Sequence, residues 1–285
     1  MNCSTYIFID GSYYIFYRYF ALLNWWKLQN KDNPDEMINI NENPKFIEKF
    51  IKLFKSKIID IPNMLKIDEP IENIKFIVGL DCKRENIWRN SLYSKYKFTR
   101  DDKRDEKLNP GSFFKMIYEQ DLFKTIEDIQ IDTLYHENLE ADDCIAISCK
   151  YISKEIPNSI SYIITSDTDY LQLKQDNIHL YNLKYKTVNT IKNSLGCPNK
   201  DLLYKIILGD KSDNIPSVFK KCGPKTALKY INNVKLFEKD LFDKLTDDHN
   251  PFEQFKLNRR LIDFDQIPQS FQEYIENETK DLIDN

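Results

Sequence analysis

Thr5-Tyr6-Ile7-Phe8-Ile9, followed by Asp10-Gly11-Ser12, is the stretch that decides the fold. The short β-branched and aromatic run reads as a buried strand, and Asp-Gly-Ser stops it in a turn, so Asp10 sits at a strand's carboxyl end. Ile74-Lys75-Phe76-Ile77-Val78-Gly79-Leu80 repeats the pattern and ends at Asp81. Ser161-Tyr162-Ile163-Ile164-Thr165 repeats it again and ends at Ser166-Asp167-Thr168-Asp169. Between these runs, residues 45–60, 112–128 and 142–154 carry apolar side chains at three- and four-residue spacing, the period of amphipathic helices. Alternation of strand and helix predicts an α/β domain around a mostly parallel sheet. Residues 30–43, polar and containing Pro34, read as a surface loop. Beyond about residue 200 the strand signals fade, and Leu202–Leu208, Pro224–Ile231 and a lysine-rich tail region read as short helices.

A chain of 285 residues suits one enlarged α/β domain, or one such domain with a helical appendage. The six cysteines contain no C-x-x-C pair and only three histidines accompany them, which disfavours a zinc site and fits free thiols in a reducing, intracellular compartment. Tyr6 to Trp26 is apolar and aromatic, but Asp10 and Arg18 interrupt it and no basic segment precedes it, so neither a signal peptide nor a membrane span is expected. No attached polymerase domain, clamp-binding motif or targeting signal is recognisable.

In parallel α/β sheets ligands bind beyond the carboxyl ends of the strands, so Asp10, Asp81, Asp167 and Asp169 are expected to converge there. Glu140-Ala141-Asp142-Asp143 adds three acids at the start of the helix of residues 142–154. Any one of these acids is explained by helix capping or by a turn. The set is not, because carboxylates packed together repel and raise one another's pKa values unless cations screen them. Oxygen-only ligands suit hard Mg²⁺, or Mn²⁺ in its place. Two such ions, about 4 Å apart, activate a water and stabilise the leaving oxygen of a phosphodiester.

Ile9-Asp10-Gly11-Ser12, Leu80-Asp81, Leu139-Glu140-Ala141-Asp142-Asp143, Ser166-Asp167-Thr168-Asp169 and Leu208-Gly209-Asp210-Lys211-Ser212-Asp213-Asn214-Ile215-Pro216 together resemble, in order and spacing, the motifs of the 5′ nuclease family. That family includes flap endonucleases, the 5′ nuclease domain of bacterial DNA polymerase I and the ribonuclease H of T-even phages. The resemblance covers roughly residues 5–270 and is strongest to the T-even phage branch, through Ile87-Trp88-Arg89-Asn90 and Leu261-Ile262-Asp263-Phe264-Asp265-Gln266-Ile267-Pro268. It implies a PIN-like domain, with a helical arch over the site and a C-terminal subdomain of helix-turn-helix type. It also implies that Asp10, Asp81, Glu140 and Asp142 hold the catalytic metal, and that Asp143, Asp167, Asp169, Asp210 and Asp213 build the second site. With these nine acids set aside, the formal charge of -4 becomes +5, a mildly basic remainder compatible with a phosphate-bearing partner.

Lys83 to Lys107 holds nine basic residues against five acidic ones, with Trp88, Tyr93 and Tyr96 interleaved. In isolation this is a solvated helix face, but it follows Asp81 directly. Tyr96-Lys97-Phe98-Thr99-Arg100 resembles the family segment that begins the arch, where cations meet the scissile phosphate and aromatics stack on unpaired bases. Lys97 and Asp142 are therefore expected to be catalytic, and Arg89 and Arg100 to clamp neighbouring phosphates. The arch proper, about residues 97–114, is expected to be mobile until DNA orders it. Ile215-Pro216 and Cys222-Gly223-Pro224-Lys225-Thr226-Ala227 resemble the family's helix-turn-helix element, which makes Lys220, Lys221, Gly223 and Lys225 candidates for duplex phosphates. Ser217-Val218-Phe219-Lys220-Lys221-Cys222 replaces the usual glycine-rich hairpin, which puts a potassium ion at that turn in doubt.

The expectation is a monomeric, Mg²⁺-dependent 5′-3′ exonuclease or flap endonuclease, acting on DNA with 5′ ends, flaps or nicks, or on RNA:DNA, in replication or repair. The expected division is 1–195 for the catalytic domain, including an arch region at about 83–120, and 196–285 for the helical DNA-binding part. Two other readings stay open. A related metal-dependent ribonuclease would use the same acids on RNA. A catalytically silent DNA-binding scaffold would bind DNA yet cleave nothing when Mg²⁺ or Mn²⁺ is added.

Overall fold

The computed structural model describes residues 5–32, 38–98, 110–127, 129–188 and 194–284. Five strands, β1 (Thr5–Asp10), β2 (Ile74–Gly79), β3 (Ile131–Leu134), β4 (Ile160–Ile164) and β5 (Ile178–Tyr181), form one sheet in the order β3-β2-β1-β4-β5. Every pairing is parallel, with Asp10 opposite Gly79 and Ile9 opposite Ile164. The carboxyl ends of β1, β2 and β4 therefore lie side by side, as the three acid-terminated runs predict. The two edge strands, Ile131–Leu134 and Ile178–Tyr181, were not anticipated: each has four residues and mixed polarity, too short to stand out in the sequence.

Helices α1 (Gly11–Gln29), α2 (Pro44–Ile59), α3 (Ile61–Leu65) and α4 (Gly111–Glu119) lie on one side of the sheet, and α5 (Ala141–Glu155) packs on the other. Asn43 caps α2 by accepting from the Lys45 and Phe46 N–H groups, with Pro44 in the first turn. The buried stripe Phe46, Phe50, Phe54 and Ile58 of α2 meets Tyr14, Tyr19 and Phe113. Each fully buried aromatic stabilises by roughly 1.5–3 kcal/mol relative to exposure. The expected helix of residues 112–128 stops at Glu119, because Asp121 enters the left-handed region at φ 48° and a 3₁₀ turn follows at Leu122–Thr125.

The remaining helices are α6 (Pro198–Leu208), α7 (Pro224–Ile231), α8 (Val234–Asp243), α9 (Pro251–Ile262) and α10 (Gln269–Asp284). Ile207, Val218, Phe219, Tyr230, Phe237 and Leu241 form a separate apolar cluster among α6, α7 and α8. Asn258 ties this group together by donating to the carbonyls of Ile206 at 2.9 Å and Pro216 at 2.8 Å. Helix α10 returns to the sheet instead: Ile275 is fully buried in the α5-side core, and Lys75 Nζ on β2 donates to the carbonyls of Leu282 and Ile283.

Two glycines bring the acidic start of α5 against the strand ends. A Cβ on Gly79 would lie 2.7 Å from the Ala141 carbonyl oxygen and 2.7 Å from the Ile145 side chain, and one on Gly11 would lie 2.6 Å from the Gly79 carbonyl. Gly79→Ala must push α5 outward, and overpacking of this kind costs about 1–3 kcal/mol. Thermal unfolding should move down accordingly, which differential scanning calorimetry measures.

Candidate metal centre and nucleic-acid interface

A cavity of about 420 Å³ opens at the strand ends. Asp10, Asp81, Glu140, Asp142, Asp167 and Asp210 line it together with Lys97, Lys205, Ser12 and Thr165. Six of the nine acids expected from the sequence thus face one space, although Asp10 and Asp210 are 200 positions apart. Asp143, Asp169 and Asp213 are not among the lining residues.

Each acid is held by its local backbone. Asp10 caps α1 by accepting from the Tyr13 N–H at 3.0 Å, which aims its other oxygen toward the Thr165 hydroxyl at 3.4 Å. Asp81 accepts from the Ala141 N–H at 2.8 Å and from the Ser12 hydroxyl. Glu140 and Asp143 form a capping box at the start of α5, which leaves Asp142 to point into the cavity. Asp167 accepts from the Asp169 N–H at 2.9 Å, and Asp210 from the Ser212 N–H at 2.7 Å. One oxygen from each of Glu140, Asp142 and Asp143 falls within a 4.8 Å group of metal-ligating type.

The electrostatics divide the acids into two classes. Burial, then the neighbouring Asp81, pushes the Asp10 carboxyl up to about 7. Burial also raises Asp81, and burial together with Asp143 and Glu140 raises Asp142 well above the carboxylate range. Glu140 goes the other way: burial alone would raise it, but Lys97 and Arg89 hold it down to about 2. Asp210 is likewise held down to about 2, because Lys205 and Ser212 outweigh its burial. In the raised group burial and like charge outweigh what Lys97 and Arg89 contribute, and all its donors are oxygens, so the residues present fit a hard divalent metal.

A pH dependence follows. Asp10 retains its proton in the folded, metal-free protein between its ordinary 3.8 and about 7, whereas the unfolded chain releases it. The folded state binds more protons over that window, so the contribution of Asp10 to stability falls as pH rises through it. A divalent ion must displace those protons. The increase in melting temperature on adding Mg²⁺ should therefore be small at pH 5.5 and grow as pH passes 7, as followed by calorimetry with and without the ion.

The structure corrects the reading of Arg89. Its side chain is 2% exposed, its Nη atoms donate to Asp143 at 2.7 Å twice and to Glu140 at 3.1 Å, and its Nε donates to the Leu261 carbonyl at 2.7 Å. It is a buried brace with no face toward a phosphate. Asp143 is its counterpart: fully buried, it accepts from Arg89, from Trp88 Nε1 at 3.0 Å and from the Glu140 N–H at 3.3 Å, so its oxygens are already engaged.

Lys97 does reach the cavity. Its backbone is left-handed at φ 54°, its N–H donates to the Asp213 carbonyl at 2.9 Å, and its ammonium pairs with Glu140 and lies 3.9 Å from Asp213. Arg100, and the arch between residues 99 and 109, lie outside the described residues. Gly223 is the N-cap of α7, with open space where a Cβ would be, and Lys221 and Lys225 are exposed beside it. Lys220 is half exposed and pairs with Asp248 at 2.5 Å. Sequence reasoning missed Lys205, whose ammonium contacts Asp169 and lies 3.0 Å from Asp210. Its only signal was a lone lysine in the apolar last turn before Gly209-Asp210.

Among the described residues no helix is long and apolar enough to cross a membrane, and Cys82, Cys144, Cys149, Cys197 and Cys222 are free thiols.

The family model of the 5′-3′ exonuclease N-terminal resolvase-like domain matches residues 5–196. The chain is 31% identical over 236 residues to a 5′-3′ exonuclease of Buchnera aphidicola (subsp. Schizaphis graminum), covering 80% of this chain and 71% of that protein. It is 28% identical over 217 residues to the Ribonuclease H of Enterobacteria phage T4 (71% and 68% covered) and 27% identical over 230 residues to flap endonuclease Xni of Colwellia psychrerythraea (77% and 75% covered). Among solved structures, the T5 D15 protein co-crystallised with metal ions matches at a TM-score of 0.66 and 17% identity, over 98% of both chains. The T5 D15 flap endonuclease variant in a complex with DNA and metal ions matches equally well over 99% of this chain and 100% of that one. At that identity the two structures bear on the fold, which is the PIN-like, resolvase-type α/β fold that the motifs imply. With most of its length matched by the family model and its acids gathered at the strand ends, the chain belongs to the 5′-3′ exonuclease family.

Proposed function

We propose that this nuclease hydrolyses phosphodiester bonds near the 5′ ends, flaps or nicks of DNA by two-metal-ion catalysis, in replication or repair. The observation that carries the reading is the convergence of Asp10, Asp81, Glu140, Asp142, Asp167 and Asp210 on one cavity that also receives Lys97. When bound, two Mg²⁺ ions, or Mn²⁺ in their place, would activate the attacking water and neutralise charge on the leaving oxygen. Asp10, Asp81, Glu140 and Asp142 would hold the first ion, and Asp167, Asp169, Asp210 and Asp213 the second. Asp143, with both oxygens engaged by its neighbours, acts through the orientation of Glu140 and the α5 terminus.

Lys97 serves two ends in this reading. Paired with Glu140, it keeps a compact positive charge at the cavity wall. A phosphate entering the cavity meets that charge, which stabilises the negative charge that grows in the transition state. Lys220, Lys221, Lys225 and the backbone at Gly223 would grip the duplex through its phosphates, with no reading of bases. The functional division is then residues 1–195 for chemistry and 196–285 for holding the duplex, with α10 also bracing the sheet.

The test is a panel of 5′-labelled flap, nicked, blunt and single-stranded substrates in DNA and in RNA:DNA, incubated with the purified chain and Mg²⁺. Short products released from the junction of flaps support the flap endonuclease form, and mononucleotides released from nicks and blunt ends support the exonuclease form. Cleavage confined to RNA strands would move the assignment to a ribonuclease. Uncut substrates that are nonetheless bound would move it to a DNA-binding scaffold.

A further inference from the structure

The second group of carboxylates already contains a cation of the protein's own. Lys205, in the last turn of α6, places its ammonium in contact with Asp169, 3.0 Å from Asp210 Oδ2 and 4.0 Å from Asp167 Oδ1. Its side chain is only 15% exposed, and those of Asp169 and Asp210 are 13% and 19% exposed, so solvent screens the group weakly. Three carboxylates around one ammonium leave a net negative charge. The lone pairs that Lys205 engages on Asp169 and Asp210 are the ones a metal would need. An ammonium and a divalent ion in the same small space repel, so one must leave for the other to enter.

The surroundings give the lysine somewhere to go. Lys205, Asp210 and Thr168 form the wall shared by the strand-end cavity and a second cavity of about 550 Å³, which runs past Tyr204, Ser217 and Gly223. Because Lys205 lines both cavities, rotation about the side chain's own bonds would carry the ammonium from the first toward the second. Lys97 is placed differently: it pairs with Glu140 at the edge of the first carboxylate group, and Asp10, Asp81 and Asp142 keep oxygens free of any ion pair with a lysine or arginine among the described residues.

We propose that Lys205 is an internal counter-ion that occupies the second metal position in the metal-free protein and must swing out before a second divalent ion binds. The inference rests on the two-ion reading above. It makes loading ordered: the first ion enters a group in which Glu140 alone is paired with a lysine or arginine among the described residues, whereas the second competes with a resident ammonium and binds more weakly. Lys205 is in this account a positioning residue, which holds Asp167, Asp169 and Asp210 together without metal and lowers the affinity of the site they form.

Mn²⁺ binding to the full chain, read from the electron paramagnetic resonance signal of the free ion, tests this without any activity measurement. Wild type should show one tighter and one weaker site. Lys205→Met and Lys205→Gln should each tighten the weaker site by at least about tenfold and leave the tighter one within about twofold, because each removes one positive charge beside one site only. Lys205→Gln retains a hydrogen-bond donor for Asp169 and Asp210, so it guards against a fold lost to carboxylate repulsion in the methionine variant. Two sites with unchanged affinities in both variants would overturn the counter-ion role alone. Weakening of the second site would also overturn it, by making Lys205 a support for metal. Absence of Mn²⁺ binding in all three proteins would overturn the two-ion reading and the counter-ion role with it.

Discussion

Asp142→Asn should keep the fold and lose cleavage by at least about a hundredfold, because even a residue that only orients a metal ligand typically contributes 10–100-fold. Asp142 lies in the cavity at the start of α5, with Oδ1 accepting from the Asp143 N–H at 2.8 Å. Burial, Asp143 and Glu140 all disfavour its charged form, so its pKa is driven well above the ordinary carboxylate value. The asparagine amide has the same shape without the charge, and the metal-free protein is relieved of one repulsion. The melting temperature without metal should therefore hold or rise, while the increase produced by Mg²⁺ shrinks. Loss of activity together with a large loss of metal-free stability would instead identify Asp142 as a structural cap.

Arg89→Met should be the most destabilising single change at the site, by about 3–5 kcal/mol, since removal of one partner from a buried ion pair strands the other charge. Asp143 is fully buried and would keep only Trp88 Nε1 and the Glu140 N–H as donors among the described residues. Glu140 would lose one of the two cations that hold it down to about 2. The consequence reaches beyond stability, because Glu140 and Asp143 define where α5 begins and hence where Asp142 points. Replacing both partners, Arg89→Met with Asp143→Leu, should recover most of the loss in urea denaturation, as buried pairs exchanged for apolar groups often do. It should not recover cleavage, since the capping box is gone. A single Arg89→Met variant that unfolds at the wild-type urea concentration would remove the brace from this account.

The sequence made the acids legible because each follows a short apolar run or opens a helix, and the ends of parallel strands meet by topology alone. Asp10, Asp81 and Asp167 could be gathered from that rule without any knowledge of the loops. Arg89 could not be placed the same way: an arginine just after a strand-end aspartate has the same local pattern whether it faces water or turns inward to Asp143. The deciding contact is with Leu261, 172 positions away, and no local period reports it. Lys205 escaped for a related reason, since one lysine in the apolar last turn of a helix is ordinarily a solvated side chain, and only the packing of α6 beside the Asp169 turn makes it a partner of three acids. The edge strands β3 and β5 were too short for their alternation to be read, and the sheet recruits them through backbone pairing with β2 and β4. The return of α10 to the sheet buries Ile275 in the α5-side core and brings the carbonyls of Leu282 and Ile283 to Lys75, again contacts with no local signature.

The most direct test of the central claim, that these carboxylates form a divalent-metal nuclease centre, is a time course of 5′-labelled flap DNA with the purified wild-type chain as Mg²⁺ is raised from zero against an EDTA control. The account predicts no product in EDTA and a cleavage rate that rises with Mg²⁺ to a plateau. Cleavage at an undiminished rate in EDTA, or none at any Mg²⁺ concentration from folded protein, would contradict it.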